Sequence, residues 1–251
     1  MSTRSPLGII TALPAEARSA GAGDAPAGRT VRIGDEVLLI RCGIGRARAA
    51  RAAAELIRAG AGALLSWGTA AALDETLRPG DVLLPGTVLS RDGRRFEVDA
   101  PWRNALADLI AGEPGASAGG VVEAGQVLRD AGGKRWLRDH SGAQIADMES
   151  AAIAETCREA GLRLLVVRAV SDHASMRVPD CALRGIDADG DLALGRLVGA
   201  LARSPADLAA LLHLAGGFRR ACARLATVSQ RAGPRFRLPG ETRANGGGAQ
   251  A

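Results

Sequence analysis

The sequence predicts a layered α/β fold in a single domain, and three observations predict it. Short apolar runs alternate with Ala-rich helical segments from Leu7 to Asp172. The glycines and prolines fall mostly between those segments, where turns belong. The chain has 251 residues, 47% of them hydrophobic, which is enough for one sizeable core at the upper end of a single domain. With 3 Trp, 3 Phe and no Tyr, that core must be built from Ala, Val, Leu and Ile.

LGIITAL (7–13) reads as a buried first strand ended by Pro14. VLLIRC (37–42) is a second strand and runs into Gly-Ile-Gly. RARAARAAAELIRAG then follows, a strong helix former stopped by Gly60. ALLSW (63–67) is a third strand, followed by a Gly-Thr turn. RPGD (78–81) places Pro and Gly at the centre of a turn, and DVLLPGTVL continues as another strand. Residues 101–111 read as helix, 112–120 as loop and GVVEAGQVL (120–128) as extended. ESAAIAETCREAG (149–161) is a helix stopped by Gly161, and LRLLVVRAVSD (162–172) is a buried strand with a polar end. From Pro239 the Gly-, Ala- and polar-rich composition predicts a disordered tail over 239–251, so the domain is expected over 1–238.

Near the C-terminus, Leu208, Leu211, Leu212, Ala215, Phe218, Cys222 and Leu225 fall at helical spacing. Between Phe218 and Leu238 stand six arginines and no acid. Such a helix either lies on an anionic membrane or packs on the domain with a solvated basic face.

Composition removes several function classes. A net charge of +5 suits an anionic ligand or a membrane surface without requiring nucleic acid, and the basic residues lack interleaved aromatics. Cys42, Cys157, Cys181 and Cys222 form no CxxC pair, and His140, His173 and His213 form no zinc-type spacing. We therefore expect no metal, no cofactor and no disulfide framework, but reduced thiols in a cytoplasmic protein. The apolar run after Arg4 is interrupted by Pro14 and Glu16 and does not read as a signal peptide. The longest uncharged stretch, Ala59 to Leu73, is too short to span a bilayer.

The chemistry-bearing residues cluster at strand ends. Arg168 stands in an apolar strand, and a buried guanidinium needs a partner. At a period of two, Arg168 and Asp172 share one face, either as a structural ion pair or as part of a site beyond the strand end, where Ser171 also falls. In IADMES (145–150), an extended backbone would point Asp147 and Glu149 one way and Met148 the other. Glu149 also precedes a helix, where a carboxylate caps free N–H groups. Gly43 and Gly45 sit between a strand and a helix, as an anion site or a tight turn. Glu16 follows the first strand, as a loop residue, a helix-start charge or a site carboxylate.

Taken together, LGIITALPAEAR, CGIGRARAA, GTAAALDETLRPGDVLLP and IADMESAAIAETCREAGLRLLVVRAVSD resemble, in the same order, blocks of the purine nucleoside phosphorylase and methylthioadenosine/S-adenosylhomocysteine nucleosidase superfamily. The resemblance spans roughly the first 175 residues. The following segment, from Val178 to Ala215, resembles the hopanoid-associated phosphorylases, and Glu16-Ala17-Arg18 also fits that branch. The resemblance implies a three-layer α/β/α sandwich, nucleoside phosphorylase-like with a mixed central sheet. It implies an enzyme that releases adenine from a 5′-substituted adenosine, adenosylhopane first among them, by phosphorolysis or hydrolysis, with phosphorolysis slightly favoured. Asp172 matches the acid at the purine N7, Glu149 the carboxylate that grips the ribose hydroxyls and Met148 the wall against the sugar. Thr69, Ser171 and Leu128 match substrate-binding positions, and Glu16 matches a water-activating carboxylate. Arg168 with Gly43 and Gly45 would hold a phosphate. Asp147 is left to order the turn. A homo-oligomer and a peripheral contact with the inner membrane face are further implications. The alternatives are a nucleosidase for small thioether nucleosides and an inactive nucleoside-binding protein.

Overall fold

The computed structural model describes residues 5–111, 119–187, 189–191, 193, 195, 199, 201, 203–204 and 206–239. The expected tail therefore lies outside the described residues apart from Pro239, as does most of the expected loop at 112–120.

Strand β1 (Leu7–Thr11) is wholly buried and stops where Pro14 opens helix α1 (Pro14–Ser19). Proline fits the first turn of a helix because its missing N–H has no partner there anyway. β2 (Thr30–Ile33) and β3 (Val37–Arg41) form a hairpin, and β3 lies parallel to β1. α2 (Arg46–Arg58) returns the chain to β4 (Ala63–Ala72), the central strand. β4 is parallel to β1 along its first half, parallel to β10 (Arg163–Asp172) along its length, and antiparallel to β9 (Ile145–Asp147) at its end.

DVLLPGTVL is not one strand. It divides into β5 (Val82–Leu83), paired with β10, and β6 (Thr87–Leu89), paired with β7 (Arg95–Glu97) and β8 (Gly120–Glu123). Pro85 and Gly86 break it, since proline donates nothing to a ladder. GVVEAGQVL is likewise extended only through Glu123. The sheet is mixed, as expected, with β2-β3-β1-β4-β9-β8-β6-β7 in order and β10 beside β4.

α2 and α5 (Ser150–Glu159) pack together on one face, while α1 and α3 (Ala100–Leu109) each pack against α7 (Asp207–Ala232) on the other. The three-layer α/β/α reading holds. Three helices escaped the sequence reading, α1 among them. α4 (Ala131–Ser141) is capped by Asp130, whose carboxylate accepts from Gly133 N at 2.9 Å, and it ends at left-handed Gly142. α6 (Asp180–Gly185) is a short turn beside α7.

α7 departs from its expected apolar stripe. Gly217, Ala221, Leu225, Val228 and Ala232 form the buried face, while Leu208 and Leu212 are 47% and 62% exposed. Gly217 lets the helix approach closely: a Cβ there would stand 2.2 Å from the Ser171 carbonyl oxygen. After α7, Phe236 inserts edge-on against Trp67 at 4.9 Å, and its carbonyl accepts from Trp102 Nε1 at 2.7 Å. Among the described residues, no helix is long and apolar enough to cross a membrane.

Candidate active site

The C-terminal ends of β1, β4, β9 and β10 bring the charged residues together. Glu16 sits at the third position of α1, where its carboxylate reaches back to the backbone N–H of the N-cap residue Leu13 and is buried over β4. Its Oε2 accepts from Ala12 N and Leu13 N, both at 3.0 Å, and its Oε1 accepts from Thr69 N and Thr69 Oγ1, both at 2.8 Å. The carboxyl lies against Gly68, where any Cβ would meet it at 3.0 Å. Helix start and site carboxylate are therefore one residue.

Glu149 lies across from it. β9 ends at Asp147, so the chain turns before Glu149, and the two carboxylates do not point the same way as an extended backbone would require. Nor does Glu149 cap its own helix. Its Oε1 accepts from Gly45 N at 2.8 Å and its Oε2 from Met148 N at 3.2 Å. In the Gly43–Gly45 turn it is the Gly45 N–H that is engaged, and its acceptor is the Glu149 carboxyl of the same chain. Both glycines need their positive φ, 79° and 104°, to aim the loop this way. Burial pushes Glu149 up from the usual 4.5 to about 8, and the Asp147 carboxylate adds to the rise. The Gly45 N–H and Arg168 pull the other way.

Asp147 organises the turn. Its Oδ1 accepts from Glu149 N at 3.2 Å and Ser150 N at 3.1 Å, and its Oδ2 takes Ser150 Oγ and, at 2.7 Å, Arg168 Nε. Arg168 completes a closed network. Its Nη1 donates to Ser66 O at 2.9 Å and Val167 O at 2.8 Å, and its Nη2 to Ser66 Oγ at 2.6 Å and Ser150 Oγ at 2.8 Å. A guanidinium has five N–H donors, and all five are spent within the chain. Arg168 is a buried structural cation with no donor left for a phosphate.

The expected sharing of a face by Arg168 and Asp172 is also overturned. A β-bulge at Ser171 shifts the register, so that Val170 faces Ala70 while Asp172 faces Ala71. One inserted residue turns every following side chain to the other side. Asp172 therefore meets a different cation, the Lys134 ammonium on α4, at Oδ2, while Ser171 Oγ lies 2.7 Å from Oδ1. Lys134 was not singled out from the sequence. The signal was there, since Asp130 followed by a helix ending in Gly142 places Lys134 in the first turn.

A cavity of about 10 Å³ lies between these groups, lined by Thr11, Glu16, Ser66, Thr69, Glu149 and Arg168 among others. Thr11 Oγ1 is the one buried side-chain oxygen or nitrogen among the described residues with no hydrogen-bond partner. A polar cavity of this size holds about one water molecule. Asp172 does not line it. It stands at the level of Ala71, two residues beyond Thr69 on β4, about 7 Å at the rise of an extended chain. Leu128 and Met148 both pack on a second apolar cluster built from Leu73, Val122, Ala124, Ala143 and Ala146.

The chain belongs to the Phosphorylase superfamily: residues 6–193 match that family. It is 27% identical over 159 residues to a Staphylococcus aureus 5′-methylthioadenosine/S-adenosylhomocysteine nucleosidase, covering 56% of this chain and 70% of that protein. Its structure is similar to the methylthioadenosine/S-adenosylhomocysteine nucleosidase of Neisseria meningitidis in complex with methylthio-immucillin-A. There the TM-score is 0.68 at 20% identity, over 91% of this chain and 98% of that one. The Streptococcus pyogenes S-adenosylhomocysteine nucleosidase in complex with 5-methylthiotubericidin gives 0.70 at 19% identity, over 95% and 99%. The futalosine hydrolase of Helicobacter pylori gives 0.67 at 17%, over 90% and 96%. These likenesses establish the fold, and the family match establishes an enzyme of that superfamily.

Proposed function

We propose that the chain cleaves the N-glycosidic bond of a 5′-substituted adenosine and releases adenine, with water as the nucleophile. The observation that carries this reading is the small polar cavity between Glu16 and Glu149. It has room for about one water, and Arg168, the cation that borders it, spends all five of its donors within the chain and offers none to a phosphate. The slight preference for phosphorolysis is therefore dropped.

In this reading Glu149 accepts the ribose hydroxyls, and Glu16 takes the proton of the attacking water once Thr69 Oγ1 turns from it. Thr69 then faces the sugar. Asp172 donates to N7 of the leaving purine, because charge builds on the base as the bond to C1′ breaks. Asp172 lies one strand over and roughly 7 Å beyond Thr69 along the strand direction, on the side that would meet the purine of a nucleoside whose ribose faces Thr69. Met148 and Leu128 supply apolar walls, with Ser171 holding Asp172 in line. For the 5′ substituent the resemblance favours a hopane tail. The exposed Leu208 and Leu212 on α7, followed by the basic half of that helix, provide a surface where a lipid substrate could be met at a membrane. The Staphylococcus aureus relative favours the second reading, a small thioether substituent.

The test is to give purified protein adenosylhopane, or 5′-methylthioadenosine, with and without phosphate, and to identify the sugar. A free ribose-type sugar, at a rate indifferent to phosphate, is expected. A sugar 1-phosphate would refute the choice of water. No adenine from either nucleoside would refute the whole reading. Glu16→Gln should lower turnover by about 10²-fold or more under both conditions.

A further inference from the structure

Behind Asp172 stands a residue that the site reading has not used. Lys134 is 0% exposed, and it is the only lysine of the chain; every other cationic side chain is arginine. Its three N–H donors go to Asp172 Oδ2, to His173 O at 2.7 Å and to Met176 O at 3.3 Å. Asp172 is therefore held as one half of a buried ion pair, a carboxylate against an ammonium, with Ser171 Oγ on its other oxygen. A carboxylate has no proton to give. The nearest transferable proton is on Lys134 Nζ.

We propose that Lys134 is the proton store behind Asp172, passing a proton through that carboxyl to the leaving purine. This rests on the reading of Asp172 as the acid for N7. The steps balance as follows. The C1′–N9 bond breaks and its electron pair leaves with the purine. N7 takes the proton that Asp172 delivers, and Asp172 takes one from Nζ, leaving Lys134 neutral. The oxygen of water bonds to C1′ and its proton passes to Glu16. After the products depart, Glu16 releases its proton to solvent, and solvent reaching Asp172 restores a proton to Lys134.

The residue type argues for transfer over mere pairing. Lysine can lose its proton in a buried site, whereas the guanidinium of arginine does not. A chain that uses Arg for its other cations, including the buried Arg168, has Lys where a cation pairs with the acid. Burial also narrows the gap between the ionic pair and its neutral form, because charge separation is costly in a medium of low polarity. Lys134 acts only through Asp172.

The experiment measures kcat and KM for adenine release from whichever nucleoside the wild type cleaves. It compares Lys134→Met, Lys134→Arg, Asp172→Asn and the double variant Lys134→Met/Asp172→Asn, with Tm recorded for each. Lys134→Met should lower kcat by about 10²-fold with KM unchanged. Lys134→Arg should keep the ion pair and much of the Tm but fail to restore kcat. In the Asp172→Asn background, Lys134→Met should cost no further activity, because residues in one relay do not add. Restoration of kcat by Arg, or losses that multiply in the double variant, would overturn the inference and leave Lys134 as a strut. The double variant carries neither charge, so it keeps the test alive should Lys134→Met alone unfold. A wild type that releases no adenine would defeat the functional reading itself, whereas an active wild type matched by an equally active Lys134→Met defeats this inference alone.

Discussion

Strand β10 carries two buried charge pairs four residues apart, Arg168 with Asp147 and Asp172 with Lys134. Both cations are almost fully buried, yet the pairs are built for different ends. Arg168 distributes its donors over a side-chain carboxylate, two hydroxyls and two carbonyls, and so ties β4, β9, β10 and the start of α5 into one frame. Lys134 gives its donors to the candidate acid and to the chain just beyond it. The first pair cannot give up a proton without leaving one of its five buried acceptors unsatisfied and Asp147 without its counter-charge. The second involves two groups that can both exchange a proton. Burial alone does not separate a structural pair from a working one; the count and kind of donors does.

The comparison is broken most directly at Asp172. Asp172→Asn should lower adenine release by about 10³- to 10⁴-fold, while circular dichroism stays that of the folded chain; full activity would end the acid role. Arg168→Met should act on stability instead, costing about 3–5 kcal/mol, because it leaves Asp147 buried without its counter-charge. Urea unfolding measures it, and Arg168→Met/Asp147→Asn should recover part of the loss. If Arg168→Met proved stable but inactive, the division between the pairs would be wrong.

Gly217→Ala tests the mount of the second pair. The new methyl meets the Ser171 carbonyl at 2.2 Å, a backbone atom that cannot swing aside. A net loss of about 1–3 kcal/mol is expected, despite the gain in helix propensity of roughly 1 kcal/mol. Activity should fall with it, since Ser171 adjoins Asp172.

The smallest effect is in pH. Glu149 is raised in the folded chain to about 8 from 4.5. Its contribution to stability is therefore complete below pH 4.5 and is lost as pH rises through about 8. Over the same range ionisation equips it to accept both ribose hydroxyls. KM should fall with rising pH while the Tm of the free protein declines, and Glu149→Gln should flatten both trends.

Much of this was legible in the sequence where the signals are local. β1, β3, α2, α5 and β10 fall within a residue or two of their expected bounds, since apolar runs and glycine stops act over a few residues. Glu16, Thr69, Glu149 and Arg168 were all singled out, and they line one cavity. Four things were not legible. The Gly-Thr turn expected after ALLSW is absent, because β4 runs on through Gly68 and Thr69 to Ala72. The break at Pro85 was read through because the apolar residues continue on both sides. α4 was missed because Gly132 and Gly133 mask a helix that Asp130 caps. The bulge at Ser171 has no sequence mark, and without it a period of two assigns Asp172 to the partner of Arg168.

The sequence by itself determined the α/β alternation and the set of carboxylates, since side-chain periodicity and capping are properties of neighbouring residues. Only the tertiary structure decided which cation each carboxylate meets, and hence that Arg168 is unavailable to a phosphate and that Lys134 is engaged with Asp172. The physical reason is range. Those partners lie 21 and 38 residues apart in the chain, and a one-residue slip in one strand is enough to exchange them.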